Sequence, residues 1–473
     1  MDAQAHAVIT EIDISQPARA LWWLRLADYA LVILCGLWAL GLAKALLFEP
    51  ASDGVLMVGF EWLSLAVLGW ATYTGWRHVG VIDPGVWRAY RQVFPLLIVL
   101  TLFVSVSTLL SLASLEAWPD AGSGEHVELV MQLSGLFNSV QVLVVAVAGT
   151  VCLRRLRRSH LAEPLSASVD QALMRLKQRA GQPAATTLKL KRINEPMGLL
   201  VGGAGVLILL GLHLLPLPEG PKWAEVQLKL GSQMSMLGFF LLVRARRYFQ
   251  VDADALMAMD KRAPILFLRS FDDDEKQQYG ASDKALLDFS LETRLANHFS
   301  RFGPFVAIGS PKESLPQLGA ARVLLSDEAW QPRVLGWMRA ASLIIMYSGK
   351  THWVNWELRQ LLENGCATRL ILMVPEVKGF FRSRRRQDVQ ARIEQVRAVF
   401  EHTPWASELA HIDDLEGLRA MLFRQDGSMV MIKSRSRGRD SYHLAAVLAH
   451  EVLLASSAMT LPHRPEAALQ AQA

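Results

Sequence analysis

The chain has 473 residues, 52% of them hydrophobic and only 20% charged, with a mean hydropathy of +0.23. This is too apolar for an ordinary soluble protein of that size and implies a membrane component. The three cysteines, Cys35, Cys152 and Cys366, supply neither a disulfide framework nor a clustered metal site, and the net charge of +5 is accounted for by basic membrane flanks attracted to anionic lipid, so no nucleic-acid partner is expected.

The first twenty residues are polar and lack the short apolar core and small-residue cleavage site of a secretory signal, so the first span is expected to stay. Apolar stretches long enough to cross the hydrocarbon follow at 28–48, 54–76, 94–115, 129–153, 197–215 and 224–243. Arg19 and Arg25 precede the first, Arg77, Arg88 and Arg91 fill the second connection, and a run of bases from Arg154 to Arg192 crowds the fourth; these segments read as cytoplasmic. The intervening connections carry Glu49 and Asp53, then Glu116, Asp120, Glu125 and Glu128, then Glu219, Lys222 and Glu225, and read as outside. Six spans with both termini in the cytoplasm satisfy every loop, the pattern of a multi-pass protein in a bacterial inner membrane. Ionisable residues within the spans are scarce, with Glu61, His213 and Lys229 as the candidates. That scarcity disfavours a transporter and leaves anchoring, with sensing at Glu61 as the alternative. Ser166 to Arg179 has the pattern of an amphipathic helix on the inner leaflet.

From Pro264 the pattern changes to short apolar runs alternating with helical periods, the mark of a parallel α/β sheet. Five runs read as strands: Ile265 to Leu268, Phe305 to Ile308, Leu343 to Tyr347, Leu370 to Val374 and Met429 to Ile432. Helical periods run through Leu291, Leu295, Phe299 and Phe302 to a stop at Gly303 and Pro304, through Leu358, Leu361 and Leu362, over Arg384 to Phe400 and over Tyr442 to Leu454. The expectation is a helical membrane region at 1–249, a cytosolic α/β domain at 250–460 with a flavodoxin-like, five-stranded parallel sheet, and a disordered tail at 461–473.

In such folds ligands sit outside the carboxyl ends of the strands. Arg269, Ser270, Phe271 and the acidic run Asp272 to Glu275 follow the first strand; Gly309 and Ser310 follow the second; Ser348, Gly349, Lys350 and then Trp353 to Glu357 follow the third. Each has a plain reading as well. A glutamate early in a helix suits the helix dipole, the tryptophans suit packing, and the acidic run suits a solvated loop or, through water, a magnesium ion. Arg382 to Arg386, RSRRR, suits lipid headgroups or an acidic partner.

The succession PILFLRSFDDDE, FVAIGSPKESLPQLGAAR and WMRAASLIIMYSGKTHWVNWELRQLLE resembles bacterial Toll/interleukin receptor (TIR) and TIR-like domains over roughly residues 260–375. In those domains a strand ending in a Ser- or Arg-containing turn opens the fold, a Pro/Gly-containing loop follows the second strand, and a serine ends a later strand before a helix that begins with Trp and Glu. Where TIR domains are enzymes, that glutamate cleaves NAD, so the resemblance implies Glu357 as the catalytic residue and NAD or a related nucleotide as substrate, with no bound cofactor or metal. It further implies Arg269, Ser270, Phe271, Gly309, Ser310, Ser348, Lys350 and Trp353 as substrate contacts, with Trp353 stacking on a ring and Arg269 or Lys350 offsetting phosphate. Nicotinamide leaves from a cationic nitrogen without protonation, so one carboxylate suffices where an ordinary glycoside needs two. The expected function is a membrane-anchored signalling or defence effector, with a homo-oligomer formed through the cytosolic domain. The alternative is a non-catalytic TIR-like interaction module on a membrane sensor.

Overall fold

Four or five consecutive apolar side chains with little polar interruption can be buried on both faces of a sheet, and all five predicted runs are used this way. They form β2 (Ile265–Leu268), β3 (Phe305–Gly309), β5 (Leu343–Tyr347), β6 (Leu370–Met373) and β8 (Met429–Lys433). The structure is a computed structural model and describes residues 9–48, 55–78, 84–113, 124–158, 194–214, most of 234–269, 290–309, 318–324, 330–375 and 382–455. Ser270, Phe271, the acidic run at 272–275, Ser310, the segment 166–179, Lys229 and the tail at 461–473 lie outside these residues, as do the side chains of Glu61 and His213.

The sheet corrects the five-stranded, all-parallel expectation. It has eight strands in the order β1-β8-β7-β6-β5-β2-β3-β4, the additions being β1 (Thr10–Asp13), β4 (Ala321–Leu324) and β7 (Leu418–Phe423). β7 runs antiparallel to both β6 and β8, and every other pairing is parallel. The connection that follows β3 therefore contains a strand of its own.

Each missed strand was hidden for a physical reason. β7 (LRAMLF) is interrupted by Arg419, whose buried guanidinium donates to the carbonyls of Leu418 at 3.1 Å, Ser434 at 3.0 Å and Ser436 at 3.1 and 3.2 Å. β4 (ARVL) carries Arg322, which is neutralised by a buried glutamate far away in sequence. β1 (TEID) is mostly exposed and has no apolar signal; it is held by its parallel register with β8, from Thr10 opposite Val430 to Asp13 opposite Lys433. Ile14 N–H donates to the Lys433 carbonyl at 2.9 Å, and the Lys433 ammonium reaches Glu11 at 2.7 Å.

Around the sheet lie α6 (Ala253–Met259), α7 (Leu291–Phe299), α8 (Trp330–Ala340), α9 (His352–Glu363), α10 (Arg382–Phe400), α11 (Ala406–Ala410) and α12 (Arg439–Ala455). α7 starts where predicted because Ser290 caps it, its hydroxyl accepting from the Thr293 N–H at 3.1 Å. It ends before Gly303, where a Cβ would stand 2.3 Å from the Ala263 carbonyl oxygen. α12 packs on α7 and β7 and is buried continuously from Asp440 to Glu451.

The first half contributes α1 (Ser15–Phe48), α2 (Val55–His78), α3 (Pro84–Ala113), α4 (Gly124–Arg158) and α5 (Glu195–Leu214). Contacts divide the chain into two compact units, residues 1–19, 163–199 and 243–473, and residues 20–162 and 200–242. In the second unit the Tyr90 hydroxyl donates to Asp28 at 2.5 Å, tying α3 to α1, and Ser105 bonds Ser139 across α3 and α4 at 2.8 Å. Gly149 lets α4 approach the Phe94 ring.

Among the described residues two stretches are long and apolar enough to cross a membrane, Ala89–Leu110 in α3 and Leu136–Leu156 in α4. That does not support the expected six. In α5 the apolar stretch found among these residues is Glu195–Ile208, and α1 carries Arg19, Arg25 and Asp28 in its first half.

Candidate functional site

β2 and β5 are neighbours, with β3 and β4 to one side and β6 to the other, so successive crossovers depart in opposite directions from between them. Such a switch point opens a crevice outside the carboxyl ends of the two strands. Leu268 pairs with Met346, which puts Arg269 and Ser348 just beyond the paired ends. Gly309 ends β3 opposite Leu324 and is buried.

Arg269 is committed inward. It pairs with Glu292 of α7 at 3.4 Å, and Arg322 grips both oxygens of the same carboxylate at 2.7 Å while the Ala320 N–H donates to it at 3.0 Å. Burial alone would raise the Glu292 carboxyl, but Arg322 and Arg269 together outweigh it and hold the group below its usual range. Gly319 leaves room for this carboxylate: its φ is +143°, and a Cβ there would come within 2.8 Å of Glu292 Oε1.

β5 passes into α9 through Ser348, Gly349, Lys350 and Thr351. The Ser348 N–H extends the sheet ladder to the Met373 carbonyl at 2.8 Å, and the Ser348 carbonyl accepts from Arg392 of α10. Lys350 is paired with Asp388, also of α10. Thr351 caps α9, its hydroxyl accepting from the Val354 N–H at 3.4 Å.

Glu357 lies in the second turn of α9, on the buried face with Val354, Leu358 and Leu361. It is 8% exposed, and its carboxyl has no hydrogen bond or ion pair among the described residues. Burial without compensation pushes it up to about 8. Trp353 stands one turn earlier on the same side of the helix and is 47% exposed. It meets Trp330 of α8 edge-to-face at 5.1 Å, and Trp356 meets the same ring at 5.2 Å. Packing therefore explains Trp356 and part of Trp353, while the exposed remainder of Trp353 rims the surface above a buried acid.

No protein-family model, no curated protein and no solved structure matches this chain. The chemistry of the edge has to be read from its own residues. Arg269, Ser348, Lys350, Trp353 and Glu357 all belong to the carboxyl edge of β2 and β5, but Arg269 and Lys350 are each bound by an internal carboxylate. Sequence reading missed Trp330, Asp388 and Arg392. Trp330 opens α8, over which no helical period is read, and Asp388 and Arg392 have the i,i+4 spacing of a helical ion pair within a very basic segment.

Proposed function

We propose that this chain is a multi-pass inner-membrane protein whose TIR-like α/β domain cleaves the nicotinamide–ribose bond of NAD or a related nucleotide, with Glu357 as the acting carboxylate. The observation that carries the reading is Glu357 itself, a buried carboxyl without a partner among the described residues, one turn below an exposed tryptophan on the helix that follows the switch-point strand. Buried acids without compensation are costly for stability and concentrate at sites that use them. A nicotinamide cation beside the carboxyl favours its ionised form, which then holds the ribose hydroxyls and stabilises the developing oxocarbenium charge. Membrane anchoring is supported by the large apolar side chains that α3, α4 and α5 turn outward, among them Val99, Leu110, Phe137, Leu200 and Leu207. The six-span topology with cytoplasmic termini belongs to this proposal, as does clustering of the α/β domains.

The test is release of nicotinamide by the full-length protein in nanodiscs supplied with NAD or NADP, with Glu357→Gln beside it. Turnover lost in Glu357→Gln supports the reading. With Glu357 near 8 in the free protein, kcat/KM is expected to rise with pH up to that value. No turnover from folded protein overturns it in favour of a second reading, a non-catalytic interaction module. That reading draws on the internal pairing of Arg269 with Glu292 and of Lys350 with Asp388.

A further inference from the structure

In the helical unit a carboxyl is buried with only half of its bonding capacity used. Asp28 of α1 is 1% exposed and Tyr90 of α3 is 2% exposed, and the Tyr90 hydroxyl donates to Asp28 Oδ1 at 2.5 Å. The second oxygen, Oδ2, is buried with no hydrogen-bond partner among the described residues. Phe94, one turn along α3 and fully buried, stacks on the Tyr90 ring at 5.2 Å and meets α4 at Gly149. On α1 the exposed side chains at this level are Trp22, Trp23, Leu26 and Ile33, so the acid is turned into the unit and the apolar groups outward.

Opposing influences act on this carboxyl. Ionised, it gains a charge-assisted bond from Tyr90 and the attraction of Arg25, which lies one turn earlier on α1 and is also buried. It then also keeps a charged oxygen out of water with nothing to solvate it. Protonated, it sheds that cost while Oδ1 still accepts from Tyr90. Tyr29 of α1 acts on Tyr90 as well, and for Asp28 no charged group of α2 or α4 adds to these among the described residues. A proton needs no cavity, since it reaches a buried carboxyl during brief local opening.

We propose that Asp28 is a reversible proton-binding site, positioned by Tyr90, and that proton uptake there slackens the tie between α1 and α3. Oδ2 takes up one proton and the carboxylate becomes a carboxylic acid; no other bond forms or breaks. The bond from Tyr90 then loses its ionic character, and a neutral bond is roughly half as strong as a charge-assisted one. The site binds a proton and does not pass it along α3. Phe94 and Leu97, both fully buried, separate Tyr90 from Thr101, whose hydroxyl is committed to the Leu97 carbonyl at 2.7 Å, and from the Ser105–Ser139 pair beyond it. The inference goes beyond the chemistry at Glu357 and does not depend on it: it gives the helical unit a stimulus of its own, proton concentration.

The experiment follows the carbonyl stretch of protonated aspartate by infrared spectroscopy, using the full chain in nanodiscs with its aspartates isotopically labelled at the side-chain carboxyl. The label separates aspartate from glutamate, and Asp28→Asn, which keeps an acceptor for Tyr90, identifies the residue. The expected result is a labelled band that titrates reversibly between about pH 5 and 8 and is missing from Asp28→Asn. In Tyr90→Phe its midpoint should move up, equivalent to roughly tenfold tighter proton binding, because the ionised form has lost its donor. A buried aspartate with a purely structural role shows no titrating band in that window, and that result overturns the proposal. So does a band that survives in Asp28→Asn, or a midpoint indifferent to Tyr90→Phe. If Asp28→Asn does not fold, the Tyr90→Phe midpoint decides alone. Amide exchange in α1, compared at pH 8, should be faster in Asp28→Asn than in the unmodified protein; equal exchange overturns the link to the α1–α3 tie. Nicotinamide release has no part in these readouts, so the glycohydrolase reading stands or falls separately.

Discussion

Two buried glutamates at one sheet edge are handled in opposite ways. Glu292 is gripped by Arg322 and Arg269, whereas Glu357 is buried with no hydrogen-bond or ion-pair partner among the described residues. Removing one partner of a buried ion cluster strands the rest, so Glu292→Gln is expected to destabilise the α/β unit by about 3–5 kcal/mol in urea denaturation. Glu357→Gln should behave conversely. In the fold its carboxyl stays protonated up to about 8, while the unfolded chain ionises above its ordinary value of 4.5. The unfolded state is thus favoured progressively as pH rises between these values, and stability should fall across that window and level off above it. The Gln variant should lose this decline and be more stable than the unmodified protein above pH 8, by on the order of 2–4 kcal/mol, read from melting curves at several pH values. Position in the chain alone put Ser348, Lys350 and Glu357 beyond the carboxyl end of β5, where the fold has them. It could not show that Lys350 and Arg269 are paired internally, because their carboxylates come from helices at other places in the sequence.

At the level of elements, legibility followed apolar continuity. β2, β3, β5, β6 and β8 are nearly uninterrupted apolar runs and could be read directly. β4 and β7 each contain an arginine that looks like a loop residue until its distant acceptors are known. In the helical half the close approach of α4 to the Phe94 ring depends on one small residue, since a Cβ at Gly149 would stand 2.5 Å from that ring. Gly149→Val is expected to push the helices apart at a cost of about 1–3 kcal/mol. Gly203, where an added Cβ would meet no other side chain or backbone within 4 Å among the described residues, should accept alanine with a change of well under about 1 kcal/mol. Thermal unfolding of both variants in detergent compares them directly.

For the whole molecule, the sheet does not begin where the second half of the chain begins. β1 precedes the first long helix and pairs with β8, more than four hundred residues later. A fragment starting at residue 250 therefore lacks an edge strand and leaves one side of β8 unpaired. Such a fragment should show fast amide exchange at residues 430–433 and a tendency to self-associate through that edge. A peptide of residues 9–15 added in trans, or fused through a flexible linker, should slow the exchange. Unchanged protection in the fragment would mean that β1 contributes little to the edge.

That pairing also fixes an order of events during synthesis. Thr10–Asp13 is made before Met429–Lys433, so the earlier segment waits without its sheet partner while the intervening helices are made. Until then Ile12, flanked by the acidic Glu11 and Asp13, has only local partners, and the charges keep a short strand soluble while it waits. Closure of the sheet edge is thus a molecular report that synthesis has passed Lys433, and a product truncated before Met429 has no edge on which Thr10–Asp13 can dock.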